Sequence, residues 1–397
     1  MPRMQDVWFF VRRAALVAVV FSVATATGSA QTHYEGEAGP GSLYEIDVPA
    51  NWNGDLVLYA HGIVEATLPV ALPTTQDGYN VLRSHLLAAG YAVAASSYSS
   101  NGWALADAVR RTHQLNAIVA RKAGRPRRTF LVGHSMGALA IVKLAEQHPE
   151  EYDGVLAMCG PLGGALAELQ YAGDARVTFD YYFPNVLPGT AFDVPAGTQY
   201  LSPFDVGGPN PLFLRVYSAL SANPSATFQW ATAAKLPFIT EAELGNAALY
   251  VVGFLVRYTA DFIERVNGKM PFDNEAVAYQ VNVTPDPATN AYLSGLLNAG
   301  VERFNADRPA LRYYERNYTP TGQIHIPLMT LHTTRDPAIP FSHEAMFAET
   351  VAAAGGSRRL VQRSIDRWGH CAFTSGEVDS AFADLVRWVN SGKRPRS

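Results

Sequence analysis

The 397-residue sequence is short of cysteine, short of charge and without a basic excess: two cysteines, 17% charged residues and a net charge of −4. Two cysteines exclude a small disulfide-stapled scaffold and a multi-cysteine metal ribbon. So little charge beside 48% hydrophobic residues excludes a disordered chain and supplies a large core. The missing basic excess argues against nucleic acid as a partner, and the run RKAGRPRR at 121–128 reads as a solvated loop before a strand. Long apolar runs are scarce at the start as well, since Ala14 to Val23 is shorter than the roughly 20 residues of a membrane span. That run follows Arg3, Arg12 and Arg13 and precedes the small residues Gly28-Ser29-Ala30, the pattern of a secretory signal peptide over residues 1–30. Removing it takes three Arg and one Asp, leaving 28 basic and 34 acidic residues, about −6. The expectation is a secreted or periplasmic protein with no stable membrane span, its two cysteines in an oxidising compartment.

What is present is alternation. Short apolar runs at 55–60, 91–97, 130–132, 154–158, 326–332 and 360–364 read as strands, and helical periodicity marks 79–89, 104–123, 136–147, 342–354 and 377–390. His33 to Pro49 alternates weakly and predicts an antiparallel hairpin. This order implies an α/β fold with a mostly parallel sheet and helices on both faces. About 165 residues, 161–325, then pass without a credible strand, far beyond an ordinary α/β connection. Their aromatic loops around 171–213 and apolar helical stretches at 241–266 and 288–304 predict a mainly helical cap. The core is then discontinuous, 31–160 and 326–392, with a frayed tail at 393–397. No feature sets an oligomeric state.

The segment Thr129 to Ala140 reads TFLVGHSMGALA, an apolar strand stopping at a serine between two glycines before a helix. Gly133-His134-Ser135-Met136-Gly137 fits G-x-S-x-G, the nucleophile elbow, where a sharp turn lifts the serine to the sheet edge and a helix N-terminus faces any oxyanion formed. A serine hydroxyl needs a base, and the base needs an orienting acid. Downstream, Asp336 follows an apolar strand and His370 lies between the next strand and the last helix, both on the edge that carries Ser135. The acid alternative, Asp366, stands four residues before His370 and is expected to brace its loop. His134, His332 and His343 are expected to pack or hydrogen-bond rather than serve as the base. Backbone N–H groups of Met136 and of Ile63, in the segment YAHGI at 59–63, are the expected oxyanion donors. Tyr98 and Trp103, after a core strand at the same edge, are candidate pocket walls.

Together these motifs resemble the α/β-hydrolase superfamily from about Leu56 to Val389, the cap excepted. The resemblance implies an eight-stranded sheet and acyl transfer through a serine ester, with no metal or organic cofactor. Dehalogenase members carry aspartate where this chain has Ser135, and the H-G-G-G loop of some esterases is absent because Ile63-Val64 follows Gly62. Cys159 ends the strand after the elbow helix and Cys371 adjoins His370, so a disulfide holding the histidine loop is expected. The expected activity is hydrolysis of a small-molecule or polymer-derived carboxylic ester. A serine peptidase with Glu241 or Glu243 holding a substrate amine is the alternative, and a non-catalytic binding protein is a third.

Overall fold

Eight strands form one sheet in the computed structural model, which describes residues 31–195, 198, 204–205, 208–255 and 258–396. The signal-peptide reading of residues 1–30 lies outside the described residues. The strands are β1 (Thr32–Gly39), β2 (Ser42–Val48), β3 (Asp55–Ala60), β4 (Ala92–Ser96), β5 (Arg128–His134), β6 (Gly154–Met158), β7 (Leu328–Arg335) and β8 (Leu360–Trp368). Across the sheet they run β1-β2-β4-β3-β5-β6-β7-β8. Only β2 runs against its neighbours, pairing antiparallel with β1 and β4, and every other pair is parallel.

The core helices are α1 (Asp77–Ala88), α2 (Leu105–Lys122) and α3 (Met136–Gln147). Seven follow among the described residues between β6 and β7: α4 (Ala165–Tyr182), α5 (Pro211–Ala222), α6 (Pro224–Ala233), α7 (Glu241–Leu255), α8 (Tyr258–Glu264), α9 (Pro287–Gly300) and α10 (Arg308–Tyr318). Two more, α11 (Ser342–Ala353) and α12 (Ser375–Ser391), complete the chain. Parallel strands covered on both faces need apolar residues at every position, and β3 is buried throughout. The pleat sorts them: Leu56, Leu58, Ala60 and Leu131 join the core containing α2, α3 and the inserted helices. Val57, Tyr59, Phe130 and Val132 face the other core, with Leu82 and Leu86 of α1 and Phe382, Leu385 and Trp388 of α12. The last helix is bounded by its own residues: Thr374 and Glu377 form a reciprocal capping box, and Gly392 ends it at φ 69°.

Two expectations change. The stretch 171–213 is not all loop, because α4 runs through Tyr182. Buried over most of its circumference, α4 has no polar face to reveal a helical period. The stretch 241–266 is two helices, α7 and α8, instead of one. Within the tail expected to fray, Arg394 Nη2 donates to the Leu360 carbonyl at 2.5 Å. Among the described residues no helix is long and apolar enough to cross a membrane.

Candidate active site

The β5–α3 turn places Ser135 at φ 53° and ψ −130°, with its N–H donating to the Met158 carbonyl of β6 at 2.9 Å. Such a turn needs the backbones of strand and helix to approach closely. A Cβ on Gly137 would stand 2.1 Å from the Ala60 carbonyl oxygen, so only glycine fits there. Met136 is the first residue of α3, and its N–H has no backbone acceptor among the described residues.

His370 and Asp336 come from loops after β8 and β7. The His370 Nε2 lies 3.0 Å from Ser135 Oγ, while Nδ1–H donates to Asp336 Oδ2 at 2.8 Å. Three and four residues past β7, the Ala338 and Ile339 N–H groups donate to Asp336 Oδ1 at 2.9 and 3.0 Å and fix the carboxylate. The histidine loop is held in turn by Thr333 Oγ1, which donates to the Gly369 carbonyl at 2.6 Å. Burial pushes the Asp336 carboxyl up, but the facing His370 and His332 outweigh it and bring it down to about 2. The structure therefore brings together the three side chains selected from the sequence and gives the imidazole a fixed proton on Nδ1.

Behind the acid lies a buried polar layer. His332 in β7 sets Nδ1 3.1 Å from Glu344 Oε1 of α11 and Nε2 3.0 Å from the Ile339 carbonyl, with Asp336 Oδ2 3.6 Å away. Burial lowers the His332 pKa, yet the hydrogen bonds and charges of Asp336 and Glu344 prevail and raise it to about 10. Thr330 Oγ1 and Gln362 Nε2 donate to Glu344 Oε2 from neighbouring strands. From the insertion, Glu168 of α4 is fully buried near Asp336, and burial and that charge push its carboxyl well up.

The loop after β3 faces Ser135. A Cβ on Gly62 would lie 3.0 Å from the Ser135 Cβ, which explains the glycine before Ile63. His61 Nδ1–H donates to the Gly62 carbonyl at 2.7 Å, and in a trans peptide this sends the Ile63 N–H to the opposite side. Burial lowers His61 to about 4, keeping the ring neutral. Tyr98 requires a correction: it does not line the cavity but lies under this loop, its ring stacked on His61 at 3.9 Å and its hydroxyl donating to the His61 carbonyl at 2.9 Å. Its φ of 56° turns the chain so that the side chain points beneath the loop. Trp103 does line the cavity, stacked on Phe262 of α8 at 5.0 Å.

A cavity of about 850 Å³ opens over Ser135 and His370. Ile63, Trp103, Phe213, Tyr258, Ile339 and Trp368 line it together with Asn246, Leu249, Tyr250 and Gly253 of α7. The spacing of those four α7 residues is one helical face, hidden in the sequence because α7 is apolar nearly all round. Glu241 and Glu243 do not line the cavity, and Glu243 is engaged by Arg335 Nε at 3.2 Å and the Ile239 N–H at 2.9 Å. Asp366 is exposed on β8 and bonded to Thr334 and Arg335, so it ties two strands instead of bracing the histidine loop. His134 accepts or donates through Nδ1 to the Tyr59 hydroxyl at 2.6 Å, and burial together with His370 lowers it to about 3. His343 opens α11 and accepts the Gly163 N–H at 3.0 Å.

Cys159 and Cys371 are joined by a disulfide, their Cα atoms 5.3 Å apart across 212 residues of sequence. Cys371 Sγ lies 3.5 Å from His370 Nε2 and also lines the cavity.

No family model matches the sequence, and no curated protein does. Among solved structures the chain is similar to feruloyl esterase B from Aspergillus oryzae, at 14% identity over 91% of this chain and 80% of that one, with a TM-score of 0.53. The chain has the α/β-hydrolase fold. Another esterase from Aspergillus oryzae aligns with 89% of this chain and 78% of its own at 14% identity and a TM-score of 0.48. The esterase Pf2001 from Pyrococcus furiosus aligns with 96% and 97% at 12% identity and a TM-score of 0.44. Ser135 thus stands in the β5–α3 turn, Asp336 follows β7 and His370 follows β8.

Proposed function

We propose that this protein is a serine hydrolase that cleaves carboxylic esters with Ser135 as nucleophile, His370 as base and Asp336 as orienting acid. The observation that carries the reading is the unbroken chain Ser135 Oγ to His370 Nε2 at 3.0 Å and His370 Nδ1 to Asp336 at 2.8 Å, facing a mostly apolar cavity. Oγ attacks the ester carbonyl while its proton passes to Nε2. The resulting oxyanion is met by the N–H groups of Met136 and Ile63, each such donor being worth roughly a hundred- to a thousandfold in turnover. Collapse breaks the bond to the alkoxide, which takes the proton from Nε2 and leaves as the alcohol. Water then gives a proton to Nε2 and attacks the acyl-enzyme, and collapse returns that proton to Ser135 and frees the acid.

The apolar and aromatic walls favour an apolar acyl or alcohol group, and the polymer-derived ester remains within the same chemistry. For the peptidase alternative, neither Glu241 nor Glu243 faces the cavity, and the acidic residue that does line it is Glu65. Export belongs to the proposal too, since the disulfide suits an oxidising compartment. Nitrophenyl esters of rising chain length, run beside aminoacyl anilides, test the activity. Ester turnover that falls by about 10³-fold or more in Ser135→Ala, with unchanged folding, is expected. Preference for the anilides, or a fluorophosphonate that leaves Ser135 unlabelled in folded protein, overturns the reading.

A further inference from the structure

The opposite end of α3 from Ser135 carries a second cluster. Its 12 residues span about 18 Å, so the cluster is structurally remote from the cavity. His148 caps α3, and the turn His148-Pro149-Glu150-Glu151 closes with the Glu151 N–H donating to the His148 carbonyl at 3.1 Å. This folds the Glu151 carboxylate back over His148. Packing of α2 on α3 adds His113, whose ring stacks on His148 with centroids 4.0 Å apart.

The donors converge without bonding to one another. Glu151 Oε1 stands 3.8 Å from His113 Nε2 and 3.7 Å from His148 Nδ1, too far for hydrogen bonds. One ligand atom from each of the three residues lies within 4.8 Å of the other two. Two of the other polar atoms, one on His113 and one on Glu151, are already occupied from outside. His113 Nδ1 is 2.8 Å from the hydroxyl of Tyr152, a side chain 3% exposed, and Asn116 Nδ2 donates to Glu151 Oε2 at 3.3 Å. An outer hydrogen bond that fixes the ring orientation and leaves Nε2 bare is how metal-ligating histidines are held.

We propose that His113, His148 and Glu151 form a structural site for a divalent transition cation of the zinc type. Two imidazoles and one carboxylate suit Zn²⁺, with water completing the shell. Tetrahedral bonds of about 2.0–2.1 Å need ligand atoms about 3.3 Å apart, so the carboxylate closes by about half an ångström while the stacked rings tilt open. All three side chains are about one-third exposed and have room for that adjustment. The cation ties α2 to the turn that ends the nucleophile helix, and its effect falls on thermal stability instead of chemistry.

Titration of ZnCl₂ into the full chain after EDTA treatment and dialysis tests this. One saturable equivalent is expected, with a raised melting temperature, and binding at least about tenfold weaker in His113→Ala and Glu151→Gln. Glu151→Gln lies in a surface turn and keeps the fold even if His113→Ala weakens it. His325→Ala, an exposed histidine elsewhere, is expected to bind as the parent does. No saturable uptake up to about 100 µM, or equal uptake in Glu151→Gln, overturns the proposal.

Discussion

Ser135 occupies a backbone region that costs a non-glycine residue of order 1–3 kcal/mol, kept only where the surroundings impose it. Here β6 holds its N–H and α3 begins at the next residue, so the turn has no relaxed alternative. A comparable constraint governs Asp336, which sits among buried groups from β7, α4 and α11: His332, Glu168, Glu344 and His343, with His370 opposite. The two shifts set a pH window. Asp336 is lowered from 3.8 to about 2, so its contribution is complete above pH 4 and disappears as pH falls through about 2. His332 is raised from 6.5 to about 10, so its contribution is complete below pH 6.5 and disappears as pH rises through about 10. Thermal melts across pH are therefore expected to show a plateau between about 4 and 6.5 from these groups. His332→Gln removes the cation between two buried carboxylates and is expected to cost about 3–5 kcal/mol, with the alkaline loss of stability abolished. An unchanged alkaline limb in denaturant unfolding refutes the assignment.

At the scale of elements, the inserted helices start at signals that are local. Asn210, Asn223 and Asp286 each cap a helix with a side-chain oxygen, and a proline follows each of them at once. Those Asn-Pro and Asp-Pro pairs were available as start signals for α5, α6 and α9, whereas α4 and α7 carry apolar residues all round and announce no face. Helix α7 is nevertheless the element that shapes the cavity. It is moored at its start by Glu243 to Arg335, the residue before Asp336, while Tyr171 of α4 donates to the Pro337 carbonyl just after it. Gly253 leaves room on the α7 face that looks onto Ser135. Gly253→Leu fills part of that space while favouring helix. Turnover of long-chain nitrophenyl esters is expected to fall about ten- to a hundredfold relative to the acetate, and a parallel loss on both refutes a role in chain-length selection.

For the whole molecule, the Cys159–Cys371 link joins the end of β6 to the histidine loop and so closes most of the second half of the fold into one loop. Its removal is expected to cost about 2–4 kcal/mol. Because Cys371 adjoins His370, reduction or Cys159→Ala with Cys371→Ala is also expected to lower kcat, read from ester turnover beside denaturant midpoints. Loss of stability with full turnover leaves the disulfide a fold staple alone. The sequence by itself determined the parts whose causes lie within a few residues: the strands 55–60 and 154–158, the helix 136–147, the glycines around Ser135, and the strand ends that carry Ser135, Asp336 and His370. Short apolar runs and helical patterns, and the absence of a side chain where backbones meet, are written into short windows. Only the tertiary structure decided that Tyr98 supports the loop before Ile63 instead of lining the cavity, that α7 turns one of its equivalent apolar faces to the cavity, and that His332 lies between Asp336 and Glu344. Each of those depends on which distant groups come to lie alongside, and a local pattern carries no record of neighbours brought in from elsewhere along the chain.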